Sequence, residues 1–137
     1  MIRQLPAWFE NVGKRLVKAP KIYLRDSGLL HALLGLQSHE QLISHPKLGF
    51  SWEGFAMEQA IRLLGAERDV FFYKTHGGAE LDLLLLRGGR RFGMEFKYAD
   101  TVRSTRAMHT VMSDLQLSKL WVVYPGQRGF LLKENIE

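Results

Sequence analysis

Residues 80–97 have the sequence ELDLLLLRGGRRFGMEFK. Two apolar runs flank Gly88 and Gly89, and glycine readily takes the positive φ angles that tight hairpin turns need. The stretch therefore predicts two antiparallel strands, at 80–87 and 90–98. Such a hairpin brings its acidic residues, Asp82 and Glu95, towards the same end of the pair.

The rest of the chain predicts further elements around this hairpin. We expect strands at 21–24, 70–74 and 119–124, a last edge strand at 130–132, helices at 28–36, 49–64 and 104–117, and a short helical piece at 39–44. From residue 49 the order is α-β-β-β-α-β. A helix between the third and fourth strands implies a parallel crossover, and hence a mixed sheet flanked by helices. The predicted fold class is α/β.

Length and composition favour a single domain. The 137 residues are 46% hydrophobic, which suffices for one core. We divide the domain 1–137 into an N-terminal helix-and-strand extension, 1–48, and an αβββαβ core, 49–137. No apolar run is long enough to span a membrane, the first residues lack the apolar segment of a secretory signal, and cysteine is absent. We expect a cytoplasmic protein without a membrane partner.

Alternation along the two strands predicts which side chains share a face. In strand 90–98, Phe92, Met94 and Phe96 would take one face, and Gly93, Glu95 and Lys97 the other. In strand 80–87, Leu81, Leu83 and Leu85 would take one face, and Glu80, Asp82, Leu84 and Leu86 the other. Apolar residues on both faces are typical of a buried strand, so the Asp82 carboxylate needs a partner. A metal ion or Lys97 would provide one.

The helix at 49–64 carries an acid within its apolar stripe. On a helical wheel Glu53 falls at the centre of the apolar half, whereas Glu58 falls on the opposite side and is expected to face water. An acid that breaks the apolar pattern is typical of functional sites. The alternative is that Glu53 forms a buried ion pair with Lys97 or an arginine, and the pattern leaves both open.

Three motifs together resemble the PD-(D/E)xK nuclease superfamily, which has the restriction-endonuclease-like fold. They are Gly49–Phe55, the Glu80-Leu81-Asp82-Leu83 stretch, and Glu95-Phe96-Lys97. Leu81 stands where proline precedes the aspartate in the name-giving form. Residues 11–30 also resemble the entry motif of a domain of unknown function, DUF4143. In prokaryotes that domain commonly follows an AAA-type ATPase module.

The resemblance implies a Mg²⁺- or Mn²⁺-dependent phosphodiesterase that acts on nucleic acid. By position, Asp82, Glu95 and the carbonyl of Phe96 would bind the metal. Lys97 would orient the attacking water or stabilise the transition state, and Glu53 would hold a second metal or a metal-bound water. The chain has no G-x-x-x-x-G-K-[ST] loop, so we do not expect it to hydrolyse ATP through one.

The alternative class is a non-catalytic C-terminal module of an AAA-type ATPase that binds nucleic acid or protein. The formal charge is +5, which favours phosphate-rich partners but also fits ordinary solubilising charge. In this alternative Lys14, Arg15, Lys18 and Lys21 would contact phosphates, with Trp8, Phe9 and Tyr98 as exposed aromatic side chains. The five histidines lack metal-ligand spacing. His76 would contact phosphate or serve only as a turn residue.

Overall fold

The structure is a computed structural model that describes all 137 residues. Its strands are β1 (Ile2–Leu5), β2 (Lys21–Leu24), β3 (Val70–Lys74), β4 (Glu80–Arg87), β5 (Arg90–Phe96) and β6 (Lys119–Val123). Its helices are α1 (Ser27–Leu33), α2 (His39–Ser44), α3 (Leu48–Leu64) and α4 (Arg106–Leu115). From α3 onwards the order is α-β-β-β-α-β, which confirms the predicted α/β class and the sequence of core elements.

The central sheet is four-stranded and mixed, in the order β3-β4-β5-β6. The first three strands are antiparallel, and β5 pairs in parallel with β6 through the α4 crossover. Gly88 and Gly89 have φ angles of 57° and 71° and form the predicted hairpin turn. This topology places the end of β3, the start of β4 and the ends of β5 and β6 together. We call this edge the carboxylate end of the sheet.

Two apolar clusters cover the two faces of the sheet. On one face Met57 and Ile61 of α3 pack against residues such as Phe72 and Phe96. On the other, Val111 and Leu115 of α4 pack against strand residues including Leu84. The predicted shared face of Phe92, Met94 and Phe96 is confirmed, because all three belong to the α3 cluster or pack against it.

A β-bulge corrects the predicted alternation in β4. Phe71 pairs with Leu84 and Tyr73 pairs with Leu81, so two residues of β4 lie opposite Phe72. The extra residue shifts the side-chain alternation. Leu81 consequently joins Leu84 in the α4 cluster, while Leu83 and Leu85 lie in the α3 cluster. The prediction that Leu81 shares a face with Leu83 was wrong, and Asp82 turns towards α3 instead.

The N-terminal segment forms a second, two-stranded sheet that the sequence did not predict. β1 pairs antiparallel with β2, and the segment between them runs along the outer edge of β3. The Trp8 amide donates to the carbonyl of Phe72 at 2.7 Å, and the Val17 amide to that of Lys74 at 2.8 Å. β1 has only two inward residues, Leu5 and the charged Arg3, so its alternation gives no apolar signal.

Several predicted boundaries shift. α4 begins after Thr105, whose hydroxyl accepts from the Met108 amide, and ends at Gln116, which has a φ of 50°. β5 ends at Phe96 rather than Tyr98. The edge strand predicted at 130–132 is absent. Instead the C-terminal residues lie along β6, where the Val122 amide donates to the carbonyl of Glu137 at 2.7 Å. None of the helices has the length and apolar character that a membrane span requires.

Candidate active site

A cleft of about 380 Å³ opens at the carboxylate end of the sheet, on the face that α3 covers. Its acidic side chains are Glu53 from α3 and Glu80 and Asp82 from β4. Phe96 closes the floor, and β2 contributes one wall. The cleft therefore brings together two of the predicted site residues, Glu53 and Asp82, which are 29 positions apart in the chain.

Asp82 has a partner that the sequence did not predict. Its Oδ2 accepts a hydrogen bond from the Phe96 amide at 2.9 Å. This bond links β4 to the end of β5, beyond the last paired residues Leu83 and Met94. The Asp82 side chain thus links β4 and β5 beyond the point where their backbone hydrogen bonds end. This bond gives the Asp82 carboxylate a protein partner at Oδ2, whereas Oδ1 has no protein donor.

Glu95 and Lys97 form an ion pair at 3.2 Å beside the cleft. Glu95 is only 6% exposed, whereas the Lys97 side chain is 46% exposed. Burial, and next the negative charge of Asp82, raises the pKa of Glu95 to about 7, against the opposing effect of Lys97. Burial also opposes the charge of Lys97, but the carboxylates of Glu95 and Asp82 outweigh it and raise the lysine pKa. These shifts show that Asp82, Glu95 and Lys97 share one electrostatic neighbourhood.

Glu53 is a partly buried carboxylate without an ion-pair partner. No cationic group lies within 4.0 Å of it, so the alternative of a buried ion pair with Lys97 or an arginine is wrong. Burial and the charge of Asp82 raise the pKa of Glu53, while Lys97 and Lys21 act in the opposite direction. Its position on the sheet-facing side of α3, next to Asp82, follows the prediction.

Glu58 is the buried, paired acid of α3, which corrects the expectation that it faces water. It is 3% exposed, and its carboxylate accepts from Arg3 at 2.5 Å and from Arg25 at 2.8 Å. Arg62, one helical turn later, lies 3.2 Å away. The wheel pattern failed here because the β1–β2 sheet covers this side of α3 and brings both arginines with it.

The structure adds Glu80, Lys74 and Tyr23 to the site and reassigns Lys21. Lys21 forms an ion pair with Glu80 and lines the cleft, so it contacts the acidic cluster rather than an open basic surface. Lys74 pairs with the other oxygen of Glu80 at 2.8 Å. Burial, and next the charge of Asp82, raises the pKa of Tyr23 on the cleft wall. The only sequence signal that could have linked Lys21 and Tyr23 to the site was their alternation onto the same face of β2.

The remaining predicted phosphate-binding residues lie elsewhere. Lys14 pairs with Asp114 at 2.7 Å, while Arg15 and Lys18 are exposed and form no ion pair. Phe9 and Tyr98 are exposed, as expected, but Trp8 is half-buried and packs edge-on against Phe71 at 5.0 Å. His76 sits at the exposed tip of the β3–β4 turn. None of these residues lines the cleft, although the Tyr98 backbone hydrogen-bonds to Glu53 and so lowers the pKa of that carboxyl group.

The acidic residues fit a weakly held divalent cation better than a rigid metal cage. No group of three or more His, Asp or Glu side chains is close enough to form a ready-made site. Mg²⁺ needs fewer protein ligands than such a site provides, because it keeps several waters and often binds only one or two carboxylates. Asp82 offers a free oxygen, and the raised pKa of Glu95 reflects a buried acid with too little positive charge around it.

The geometry defines an α/β domain with a mixed sheet and a carboxylate–lysine site at one end. Residues 48–137 match the family profile of the domain of unknown function DUF4143, and the chain belongs to this family. Residues 1–40 match a second profile, the domain of unknown function DUF8612, so the stretch 11–30 that resembles a DUF4143 entry motif lies outside the DUF4143 match.

Two curated relatives are uncharacterized proteins, one of Mycobacterium tuberculosis and one of Mycobacterium bovis. Each is 46% identical to this chain over 136 residues, which is 99% of the chain but 31% of the relative. The chain thus spans about a third of the length of these relatives. No solved structure matches it.

Proposed function

We propose that this domain is a metal-dependent phosphodiesterase of the PD-(D/E)xK type that acts on nucleic acid. The observation that carries the proposal is the pair of carboxylates at the paired ends of β4 and β5. Asp82 is fixed by the Phe96 amide at 2.9 Å, and the buried Glu95 is next to Lys97. The αβββαβ order and the motif at residues 95–97 agree with that type of enzyme.

In this proposal Asp82, Glu95 and the Phe96 carbonyl would hold a Mg²⁺ or Mn²⁺ ion, whose oxygen preference they match. When bound, the cation acts as a Lewis acid that acidifies a water and offsets charge on the phosphoryl group. Lys97, whose side chain is 46% exposed, would orient the attacking water or stabilise charge in the transition state. Glu53, which also lines the cleft, would hold a second metal or a metal-bound water.

Substitution of Asp82 tests the proposal. Asp82→Asn keeps the side-chain shape but removes the charge, and Asp69→Asn is a matched control because Asp69 is exposed and lies at the other end of β3. With labelled DNA or RNA and Mn²⁺, we expect wild type and Asp69→Asn to cleave. Asp82→Asn should lose activity by a factor of about 100 or more, since metal positioning supplies several kcal/mol. Equal cleavage by Asp82→Asn and wild type would contradict the assignment.

A second candidate is a non-catalytic binding module of an AAA-type ATPase. It is favoured by the ion pairs that already neutralise Glu80 and partly neutralise Glu95. It also agrees with a chain that spans 31% of its curated relatives. This candidate predicts no cleavage in any metal, unchanged folding of Asp82→Asn, and binding that does not depend on divalent cations.

A further inference from the structure

A basic groove lies on the α4 side of the same sheet end, separate from the acidic cleft. Two adjoining depressions form it, of about 670 and 570 Å³. Both are lined by Lys14, Arg15 and His76. The first also includes Arg106 of α4, and the second includes Lys18 and Phe9. No acidic side chain lines either part.

Most of the positive charge in this groove is not neutralised within the chain. Arg15, Lys18 and Arg106 are exposed and form no ion pair, in contrast to Lys14, which pairs with Asp114 at 2.7 Å. The amides of Arg106 and Ala107, in the first turn of α4, also have no protein acceptor. Unpaired guanidinium groups beside free helix amides favour a phosphate or a similar anion.

The groove is held in a defined shape. The His76 amide donates to the carbonyl of Arg15 at 2.9 Å, so the β3–β4 turn is tied to the N-terminal segment. Within the turn, the Ala79 amide donates to the Thr75 hydroxyl at 3.0 Å. Ala79 lines the groove, and the next residue, Glu80, lines the acidic cleft. The two surfaces are therefore separated only by the thickness of the sheet at its end.

Phe9 gives the groove an aromatic surface. Its side chain is 51% exposed and lies beside Arg15, Lys18 and His76. A basic groove combined with exposed aromatic rings is the usual arrangement for single-stranded nucleic acid, because unstacked bases pack on the rings while the backbone follows the charges. A duplex hides its bases and would leave Phe9 unused.

We infer that this groove binds single-stranded nucleic acid. Arg15, Lys18 and Arg106 contact the phosphates, and Phe9 stacks with a base. The inference adds a second surface to the proposed function and supplies a path for the strand next to the cleft. It does not require cleavage, since the groove and the acidic cleft share no lining residue.

Fluorescence anisotropy with a labelled twelve-nucleotide DNA strand and a matched hairpin duplex tests this inference. Measurements are made in EDTA over a range of salt concentrations, so that cleavage plays no part. We expect tighter binding to the single strand. The double variant Arg15→Gln/Arg106→Gln should weaken it at least tenfold and reduce the salt dependence by about 0.7 per lost phosphate contact. Phe9→Leu should weaken it about five- to hundredfold with little change in salt dependence.

Matched variants provide the controls. Arg68→Gln/Arg90→Gln removes two exposed, unpaired arginines from the opposite end of the sheet, and Phe55→Leu removes an exposed ring on α3. Both should bind like wild type. Equal losses in these controls, or a preference for the duplex, would overturn the inference. Because EDTA removes the divalent cations that cleavage needs, a failure of the proposed cleavage remains distinguishable from a failure of the groove.

Discussion

Two buried glutamates of this domain, Glu58 and Glu95, have opposite electrostatic environments. Glu58 is surrounded by Arg3, Arg25 and Arg62. Burial acts to raise its pKa, but hydrogen bonds from Arg3 and Arg25 outweigh burial and lower the pKa to about 2. Glu95 has one half-exposed lysine and a second acid nearby, and burial raises its pKa to about 7.

The contrast distinguishes Glu58, a carboxylate that stabilises the fold, from Glu95, a candidate functional carboxylate. The charge of Glu58 is fully compensated by groups that also join β1 and β2 to α3, so the folded state gains from it. The charge of Glu95 is undercompensated, so the folded state is destabilised unless a proton or a cation binds. Strongly perturbed carboxyl groups beside a cleft are typical of active sites.

The largest expected effect comes from Glu58→Gln. The substitution leaves Arg3, which is 7% exposed, as a buried charge without its main partner. Breaking a buried ion pair in this way costs about 3–5 kcal/mol. Urea unfolding at pH 7 measures the free energy of unfolding.

The pH dependence gives the matching control. Because the folded-state pKa of Glu58 is about 2 and its ordinary value is 4.5, its contribution is present above pH 4.5 and is lost as the pH falls towards 2. The stability gap between wild type and Glu58→Gln should therefore close in acid. A gap that stays constant between pH 7 and pH 3 would show that packing, not charge, causes the loss.

Glu95→Gln should change the stability in the opposite direction to Glu58→Gln. Since the pKa of Glu95 is raised from 4.5 to about 7, the folded state is favoured below pH 4.5 and loses this advantage as the pH rises through 7. Above pH 7 the neutral glutamine should be more stable than wild type by about 1–2 kcal/mol. Thermal unfolding at pH 5 and pH 8 checks this, and a destabilised variant at pH 8 would contradict the account.

Lys97→Gln should change the titration of Glu95 more than it changes stability. Lys97 lowers the pKa of Glu95, so its removal should raise that pKa above 7. The stability cost should stay below about 1 kcal/mol, because exposed partners of ion pairs contribute little. Carboxyl-carbon NMR titration measures the pKa directly. An unchanged titration of Glu95 would show that Lys97 does not act on it.

The smallest expected effect is that of Arg62→Gln. Its side chain is 51% exposed and pairs with Glu58 across one helical turn. Such pairs contribute about 0.3–0.5 kcal/mol. Urea unfolding of Arg62→Gln and Glu58→Gln side by side compares the free energies of unfolding when an exposed and a buried member of the same ion-pair network are removed. A loss as large as that of Glu58→Gln would mean that the network depends on Arg62 rather than on Arg3 and Arg25.

The sequence predicted the core because the pattern there depends on local features. Glycines at 88–89 predicted the hairpin, and apolar alternation predicted that Phe92, Met94 and Phe96 share one face, which the structure places against α3. The orientation of Leu81 was not predictable in this way, since a bulge depends on how β3 pairs. Glu58 was missed for a similar reason: its arginines, Arg3 of β1 and Arg25 just after β2, come more than 30 positions earlier.

Calorimetric titration of Mn²⁺ at pH 7 into wild type, Asp82→Asn and Asp69→Asn tests the central claim most directly. Two buffers of different ionisation enthalpy report proton release. We predict that wild type and Asp69→Asn bind one ion and release part of a proton, because Glu95 titrates near pH 7 and must ionise to bind a cation. Asp82→Asn should not bind. The absence of binding by wild type, or equal binding by Asp82→Asn, would contradict a metal site at these carboxylates.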